Sequence, residues 1–563
     1  MSRSVSPPRR AWSCRSPVSF ALFAAVLWLA FYNRRFWTDA LAVIEPGSWG
    51  DALFACSIFL VLWLACASAL LLVPGNRPLK AIAACASILA AVAAYFADAY
   101  GIYIDRDTIR NFIETDSREV WGLMNARFGA YLLLLGALPA AAIWRVRLPA
   151  IGWKRQVVQR TVFMACSALV CFSLFAAFNA RYVSFIREHK AVRYLIVPAN
   201  VVYGTLSYLN RVRRGGDNGP AEDAQAPVAR RLAPAAKPVL LLLVIGETAR
   251  AQNFQLGGYG RDTNPELARR GVHYFSNVTA CGTSTAISLP CMFSGAGREA
   301  FDVDRARRNT NLLDALARAG VYVEWRENNS GCKGVCDRVR TINHTRMPDE
   351  RYCSKGGCYD EVMLDGLPDT LSRLKSDAVV VFHQAGSHGP GYYERYPRRF
   401  ETFAPVCRSN DLGRCSVEEV VNAYDNSVRY SDHVLARKID LLRQAADSVD
   451  SILIYVSDHG ESLGELGLYL HGAPFWLAPR QQTKVPFVVW MSDGYRKRFS
   501  LSQQCLRAKA DRPFSHDNLY HTVLGVFGVT TARYRPAMDL FSSCGPAAPP
   551  GPASLGPAAR EAA

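Results

Sequence analysis

The chain has 563 residues, half of them hydrophobic, and a formal net charge of +17. This length excludes a single ordinary domain. The positive charge is consistent with anionic partners such as lipid phosphates, and nucleic acid is the usual alternative. The apolar residues are concentrated in the first 181 positions, and the later part has the composition of a soluble α/β protein.

Five apolar runs predict a membrane domain over residues 1–181. The runs are 17–32, 51–73, 79–97, 128–144 and 161–179. About 20 apolar residues are needed to cross a hydrocarbon layer of ~30 Å, and buried core helices are a poor explanation for five such runs in succession. A cleaved signal peptide is the alternative for the first run, but further spans follow it directly. We therefore expect five transmembrane helices.

The positions of Lys and Arg predict the orientation of these helices. The segments before the first run, between the second and third, and between the fourth and fifth are basic, whereas 98–127 mixes acids with bases. With five spans, the three basic segments share one side of the membrane. We therefore expect a cytoplasmic amino terminus and an extracytoplasmic location for everything after residue 181.

Cysteine usage supports that location independently. Ten of the 16 cysteines follow residue 181. Zinc clusters are one interpretation, but the spacings repeat no C-x-x-C pattern, so disulfides in an oxidising compartment fit better. Proximity gives four pairs and elimination gives the fifth: Cys281–Cys291, Cys332–Cys336, Cys353–Cys358, Cys407–Cys415 and Cys505–Cys544. An oxidising compartment also argues against nucleic acid as a partner.

The segments around the soluble domain differ in composition. Residues 182–236 begin with mixed aromatic, aliphatic and basic positions, which suit amphipathic segments at the bilayer surface, and end in a flexible linker. Residues 237–545 form the predicted soluble domain. The tail, 546–563, is rich in Pro, Ala and Gly, and we expect it to be disordered.

Three apolar runs in the soluble domain predict strands that are buried on both faces of a parallel sheet. They open the segments "PVLLLLVIGETAR", "AVVVFHQAGSHGP" and "SILIYVSDHGES". Helical patterns lie between them, such as "NTNLLDALARAG", with Asn309 or Thr310 as its N-cap and Gly320 as its end. Strands that alternate with helices predict an α/β fold with a mainly parallel sheet.

Polar residues that can bind metal follow each of these strands. They are Glu247, His383, His388, Asp458, His459 and Glu461. In such folds the site lies beyond the carboxyl ends of the strands, so these side chains should converge at one edge of the sheet. Carboxylates with imidazole suit zinc better than calcium, and the pattern predicts a zinc site.

A cluster of hydroxyls lies between two cysteines in "CGTSTAISLPC", residues 281–291. The hydroxyl residues are Thr283, Ser284, Thr285 and Ser288. A polar loop or a helix cap would explain them, but metal coordination could also make one of them a nucleophile. The pattern does not identify which one. A serine-protease type of triad is disfavoured because the chain has no G-x-S-x-G motif.

Six ordered motifs resemble those of the lipid A phosphoethanolamine transferases. These motifs are "VIGETAR", "CGTSTAISLPCMFS", "NNSGCKGVC", "HQAGSHGPGYY", "SDHGESLGE" and "GLYLHGAP". That family belongs to the alkaline phosphatase superfamily and includes the mobile colistin resistance proteins. The resemblance implies five transmembrane helices in the inner membrane followed by an alkaline-phosphatase/sulfatase-like α/β sandwich in the periplasm. Sulfatases share this fold, but their C/S-x-P-x-R motif is absent.

The resemblance also implies roles for individual residues. Thr285 matches the family's nucleophile, and the implied zinc ligands are Glu247, Thr285, Asp458 and His459. The implied head-group contacts are Asn329, Lys333, His388, Glu461 and His471. The implied lipid contacts in the membrane domain are Asn111, Thr115 and Glu119, for which a solvated helix face is the plainer explanation. A second metal would involve His383, His388 and His471.

The implied activity is transfer of phosphoethanolamine from phosphatidylethanolamine to a phosphate of lipid A, through a covalent intermediate on Thr285. The added amine would lower surface negative charge and give resistance to cationic peptides such as polymyxin. The alternatives are a transferase that acts on core sugars, a phosphoglycerol transferase of the same fold, and a non-catalytic membrane receptor. We expect a monomer with no nucleic-acid partner.

Overall fold

In the computed structural model of the chain, the described residues are 13–44, 47–114, 120, 122–189, 192–215, 229–230, 237–346, 349–354 and 357–545. They form two compact units. The helical unit contains the described residues of Met1–Asp217 together with Arg408–Val417 and Ser462–Ala478. The sheet unit contains those of Asn218–Cys407, Glu418–Glu461 and Pro479–Ala563. Two stretches of the later sequence therefore belong to the helical unit.

The helical unit is built on helices from the amino-terminal part of the chain. They are α1 (Pro17–Phe31), α2 (Arg34–Ile44), α3 (Trp49–Leu71), α4 (Asn76–Tyr100), α5 (Arg106–Glu114), α6 (Ala126–Arg145), α7 (Trp153–Ala177), α8 (Asn179–Glu188) and α9 (Ala199–Gly215). Residues Leu132–Ala137 of α6 are π-helical. Polar caps begin several of these helices; at α3, Ser48 and Asp51 form a reciprocal capping box.

Among the described residues, four helices are long and apolar enough to cross a membrane: α3, α4, α6 and α7. They correspond to the second to fifth apolar runs of the sequence. The first run does not form a span of its own, because α1 has only 15 residues and is followed by α2 after a bend of 71°. The predicted number of five is reached only if this bent pair counts as one span.

The connecting region after α7 contains the amphipathic helices α8 and α9. Several apolar side chains of α9 are exposed, among them Val202, Tyr203, Leu206 and Leu209. This pattern is the one expected of a segment at a bilayer surface. The greater part of the predicted linker and the whole predicted tail, 546–563, lie outside the described residues.

The sheet unit is organised around eight strands. They are β1 (Val239–Gly246), β2 (His273–Thr279), β3 (Tyr322–Glu327), β4 (Arg340–Asn343), β5 (Ala378–His383), β6 (Asp450–Ser457), β7 (Lys484–Met491) and β8 (Phe514–Ser515). Their order across the sheet is β8-β2-β7-β6-β1-β5-β3-β4. β1, β5 and β6 are adjacent, parallel and buried along their whole length. β7 runs antiparallel to both of its neighbours. The predicted strands and the mainly parallel sheet are confirmed.

Helices cover both faces of this sheet. They are α10 (Pro265–Ala268), α11 (Thr285–Ser294), α12 (Val303–Arg308), α13 (Leu312–Arg318), α14 (Leu367–Ser372), α15 (Val417–Gln444), α16 (Arg480–Thr483), α17 (Asp493–Arg498), α18 (Gln503–Ala508) and α19 (Asp517–Val526). Side chains of α11, α13 and α19 share one core with alternate residues of β1, β5 and β6. On the opposite face, Lys438 of α15 lies 4.6 Å from the centre of the Phe382 ring of β5. The result is the expected α/β sandwich.

The predicted cap of α13 is wrong by one or two residues. The N-cap is Asn311, not Asn309 or Thr310. The Asn311 side chain accepts from the backbone N–H of Leu313 and Asp314, and the Asp314 carboxylate accepts from the Asn311 N–H at 2.7 Å. This reciprocal pair satisfies donors at both ends of the first turn, so it determines where the helix begins.

Disulfides cross-link the loops of the later sequence. The bonded pairs include Cys281–Cys291, Cys332–Cys336, Cys353–Cys358 and Cys505–Cys544. These are four of the five expected pairs, and Cys407 and Cys415 are disulfide-bonded as well. The free cysteines among the described residues all precede residue 181, which agrees with the division of the chain into a membrane part and a part in an oxidising compartment.

Candidate active site

The carboxyl ends of β1 and β6 carry the acidic part of the candidate site. Gly246 and Ser457 are partners in the register of these parallel strands, so the residues that follow them, Glu247 and Asp458, emerge side by side. The Asp458 N–H donates to the Gly246 carbonyl at 2.9 Å, which extends the ladder by one bond. Glu247, Asp458 and His459 are fully buried. The sheet itself thus brings these three predicted ligands together.

Their ligand atoms form a tight cluster. One such atom from each of Glu247, Asp458 and His459 lies within 4.8 Å of the other two. His459 Nε2 is 3.4 Å from both Glu247 Oε1 and Asp458 Oδ2. Two buried carboxylates at this separation repel each other when both are ionised, and a divalent cation removes that repulsion. Carboxylate oxygens with imidazole nitrogen are a donor set that zinc accepts. The residues fit a zinc ion.

Thr285 brings a hydroxyl to the same cluster. Its Oγ1 donates to Glu247 Oε2 at 3.1 Å and lies 3.4 Å from His459 Nε2. Thr285 is the first residue of α11, and Ser284 is its N-cap. Ser288 has a different contact, because its Oγ accepts from the Gly282 N–H at 2.9 Å. Thr285 is therefore in contact with two candidate metal ligands, and its role as the nucleophile stays a prediction.

The orientation of the ligands is set by contacts behind them. His459 Nδ1 lies 3.0 Å from the Gly460 carbonyl, so it is the protonated nitrogen and Nε2 is left as an acceptor directed at the cluster. Thr248 adopts a left-handed φ of +54°, and its N–H is 3.3 Å from Asp458 Oδ1. The Tyr424 hydroxyl donates to the Thr248 carbonyl at 2.7 Å and holds this strained turn in place.

A second group of polar side chains extends the cluster toward β3 and β5. His383 is the last residue of β5 and not a residue beyond it. Its Nδ1 lies 3.0 Å from each carboxylate oxygen of Glu327, and its Nε2 lies 3.3 Å from Asn329 Nδ2. Asn329 Nδ2 in turn donates to Glu247 Oε2 at 2.6 Å. Asn329 therefore contacts a candidate metal ligand directly.

The other predicted head-group residues of the sheet unit are found on neighbouring loops. Lys333 has a left-handed φ of +51°, and its Nζ donates to the Ser330 carbonyl at 3.0 Å. Glu461 is buried, and its Oε1 accepts from the Tyr392 hydroxyl at 2.8 Å. His388 is also buried. The second metal site expected at His383, His388 and His471 stays a prediction.

Two predicted residues belong to the helical unit. Asn111 lies on α5, and His471 follows a short strand pair formed by Ser462–Leu463 and Tyr469–Leu470. A Cβ built on Gly472 would lie 3.4 Å from Asn111 Nδ2, so the backbone next to His471 packs against Asn111. Thr115 and Glu119 lie outside the described residues.

His516 is a residue of this region that sequence reasoning missed. Its Nδ1 accepts from the Cys281 N–H at 3.0 Å, and its Nε2 donates to the Ser457 carbonyl at 2.9 Å. Burial lowers the pKa of His516 to about 4, so the ring is neutral and can accept at one nitrogen and donate at the other. His516 thereby ties the loop before Thr285 to the end of β6. It lies between the two-residue strand β8 and α19, and no sequence signal marked it.

Two family models and several curated relatives match the chain. A family model described as "Phosphoethanolamine transferase EptA/EptB" matches residues 60–212, and the Sulfatase family model matches 240–529. The chain is 41% identical to phosphoethanolamine transferase EptA of Escherichia coli K12, over 83% of this chain and 86% of the relative. It is 35% identical to the phosphatidylethanolamine transferase Mcr-1 of Escherichia coli, over 93% and 97%.

A solved structure covers nearly the whole chain. It is the integral membrane protein lipooligosaccharide phosphoethanolamine transferase A (EptA) from Neisseria meningitidis, with a TM-score of 0.91 and 34% identity over 94% of this chain and 98% of that one. The match includes the apolar helices as well as the sheet, which supports a multi-pass membrane protein with an alkaline-phosphatase-like α/β domain. On these matches the chain belongs to the phosphoethanolamine transferase family.

Proposed function

We propose that this protein transfers phosphoethanolamine from phosphatidylethanolamine to a phosphate of lipid A, with Thr285 as the nucleophile. The observation that carries the proposal is the position of Thr285 Oγ1, within 3.4 Å of both Glu247 and His459 in a buried cluster of zinc-type ligands. We infer phosphoethanolamine as the transferred group from the names of the relatives. The lipid donor and the lipid A acceptor are inferred from the same family.

Thr285 is suited to attack a phosphorus atom. Glu247 Oε2, at 3.1 Å, can take the hydroxyl proton, and the start of α11 favours the negative charge of a phosphoryl group. Oγ1 would form a bond to phosphorus as the bond to the diacylglycerol oxygen breaks, and the proton would leave with diacylglycerol. A hydroxyl oxygen of the acceptor phosphate then displaces Oγ1 from phosphorus, and the proton of that hydroxyl passes to Thr285.

Zinc, held by Glu247, Asp458, His459 and Thr285, would supply Lewis-acid activation of the hydroxyl and neutralise phosphoryl charge. The surrounding side chains provide contacts for the head group. Lys333 offers a cation for phosphoryl oxygens, and the buried carboxylate of Glu461 offers an anion for the ethanolamine ammonium. Asn329 and His388 complete the proposed set in the sheet unit. The family resemblance alone proposes Asn111, Thr115, Glu119 and His471 as further substrate contacts.

The setting follows from the same reasoning. The protein would be a monomer in the inner membrane, with a cytoplasmic amino terminus and a periplasmic sheet unit. Both substrates are lipids, which accounts for the joint presence of apolar helices and a transferase domain. An ethanolamine amine on lipid A lowers the negative charge that cationic peptides such as polymyxin require for binding.

The test is to express the full chain in a host that lacks its own phosphoethanolamine transferases and to measure the masses of extracted lipid A and core oligosaccharide. Lipid A should gain the mass of one or more phosphoethanolamine groups, and the Thr285→Ala variant, expressed at the same level, should add none. Unchanged lipid A together with a modified core oligosaccharide would reject lipid A as the acceptor and support a transferase that acts on core sugars. A mass increment of phosphoglycerol would indicate the phosphoglycerol transferase.

A further inference from the structure

The buried carboxylate of Asp360 lies outside the Glu247–Asp458–His459 cluster and is bonded to two segments that contact Glu247. Asp360 begins a 3₁₀ turn, Asp360–Leu364, two residues after the Cys353–Cys358 bridge, and only 4% of it is exposed. Its Oδ1 accepts from the Ala385 N–H and from Asn328 Nδ2, both at 2.8 Å. Its Oδ2 accepts from the Gly386 N–H at 3.0 Å. Three N–H groups thus converge on one side chain.

The loop that Asp360 holds lies directly against Glu247. The Ser387 N–H donates to the Glu247 carbonyl at 3.0 Å. Gly386 has a φ of +53°, and a Cβ built on it would be 2.6 Å from the Glu247 carbonyl oxygen and 2.8 Å from its nitrogen. Because the two backbones are in contact without spare room, a shift of this loop would displace Glu247 as well.

The third donor connects Asp360 to the other flank. Asn328 precedes Asn329, whose side chain donates to Glu247 Oε2 at 2.6 Å. Asn328 Nδ2 also donates to the Cys358 carbonyl at 3.0 Å. The cross-linked turn that carries Asp360 is therefore bonded to both segments that contact Glu247. The Asp360 carboxylate binds the backbone of Ala385 and Gly386, and it binds Asn328 together with the Cys358 carbonyl.

We propose that Asp360 is a positioning residue that fixes Glu247 for zinc by clamping the 384–387 loop and Asn328 from behind. This inference rests on the proposed function only in assuming that Glu247 is a zinc ligand. Partners of metal ligands of this kind change metal affinity by about 10–100-fold when they are removed. Asp360 itself touches neither substrate nor reacting atom.

The test measures zinc affinity of the metal-free full-length protein by competition with a chelating dye. Asp360→Asn keeps the shape of the side chain but turns one acceptor oxygen into a donor that faces an N–H. We expect its zinc dissociation constant to rise about 10–100-fold, and excess zinc should restore the wild-type metal content. A dissociation constant within a factor of about 2 of wild type would overturn the proposal, since the expected change is at least tenfold.

Asp432→Asn is the matched control. Asp432 is also buried and accepts two backbone N–H bonds in the sheet unit, from Glu266 at 2.9 Å and Leu267 at 3.0 Å. Asp432→Asn should leave zinc affinity unchanged. If Asp432→Asn lost as much zinc affinity as Asp360→Asn, the loss would be explained by general destabilisation and the proposal would be overturned. If Asp360→Asn does not fold, Asn328→Ala is used instead, because it removes one of the three hydrogen bonds to the Asp360 carboxylate. Wild-type zinc affinity of Asn328→Ala would reject the positioning role of Asp360. Zinc binding by wild type without any lipid transfer would reject the proposed function and leave the clamp intact.

Discussion

Gly386 is the position where a single methyl group should disturb the candidate site most directly. Its φ of +53° lies in the left-handed region, which costs a residue with a side chain about 1–2 kcal/mol. The added Cβ would also lie 2.6, 2.8 and 2.9 Å from the oxygen, nitrogen and Cβ of Glu247. These neighbours are mainly backbone and cannot rotate away, so overpacking adds about 1–3 kcal/mol.

Gly386→Ala should therefore lower the free energy of unfolding by about 2–5 kcal/mol. Because relief of the overlap requires Glu247 to move, it should also weaken zinc binding by at least about tenfold. Both quantities can be measured on the full-length protein in detergent, the first by denaturant unfolding and the second by zinc titration of the metal-free form.

Gly271→Ala separates the two causes. Gly271 has a φ of +69°, and a Cβ built on it meets nothing within 4 Å. It should lose about 1–2 kcal/mol from the backbone conformation alone and keep wild-type zinc affinity. If Gly386→Ala loses no more stability than Gly271→Ala and binds zinc as tightly as wild type, the reasoning about the contact with Glu247 is refuted.

Three further predictions concern the proposed nucleophile, the disulfide that flanks it and the partly buried His433. Thr285→Val, which keeps the shape but not the hydroxyl, should abolish the phosphoethanolamine adduct detected by intact-mass measurement, whereas Thr285→Ser should retain it; an adduct on the valine variant would identify another nucleophile. Replacement of Cys281 and Cys291 by Ala, which opens a loop with a sequence separation of 10, should lower the free energy of unfolding by about 2.7 kcal/mol from loop entropy, and an unchanged denaturation midpoint would contradict this. The carboxylates of Glu361, 3.6 Å from Nε2, and Glu266, 2.8 Å from Nδ1, raise the pKa of His433. Their pairing with the charged ring therefore stabilises the fold below about pH 6.5 and is lost as pH rises through the raised pKa. His433→Gln should lower the melting temperature more at about pH 5 than at about pH 9, and an equal loss at both pH values would exclude the charged pairs.

The convergence of Glu247, Asp458 and His459 could be predicted from the sequence because of how parallel strands are arranged. β1, β5 and β6 are apolar runs with no alternation, which is typical of strands buried on both faces. Residues directly beyond such strands share one edge of the sheet, and the register of Gly246 with Ser457 then puts Glu247 beside Asp458. The motif around Thr285 gave a group of hydroxyls, and the choice of Thr285 among them came from the family resemblance.

Other elements could not be predicted from local patterns. The bend between α1 and α2 depends on packing inside the helical unit, and a 15-residue apolar run carries no sign of it. The start of α13 was misassigned because three polar residues in succession could each cap a helix, and only Asp314 at the third position distinguishes Asn311.

The supporting residues of the site share one physical property that explains why sequence reasoning missed them. His516 and Asp360 do not follow the strands that carry the ligands; each comes from a remote segment and contacts backbone atoms of the loops at those strand ends. The identity of the ligands is therefore a local property of the strand ends, whereas their separation is determined by loops that disulfides and buried polar side chains hold. Substitutions of the candidate ligands should therefore remove metal binding outright. Substitutions of Asp360 or Gly386 should leave the same ligand atoms in place but weaken their binding of zinc.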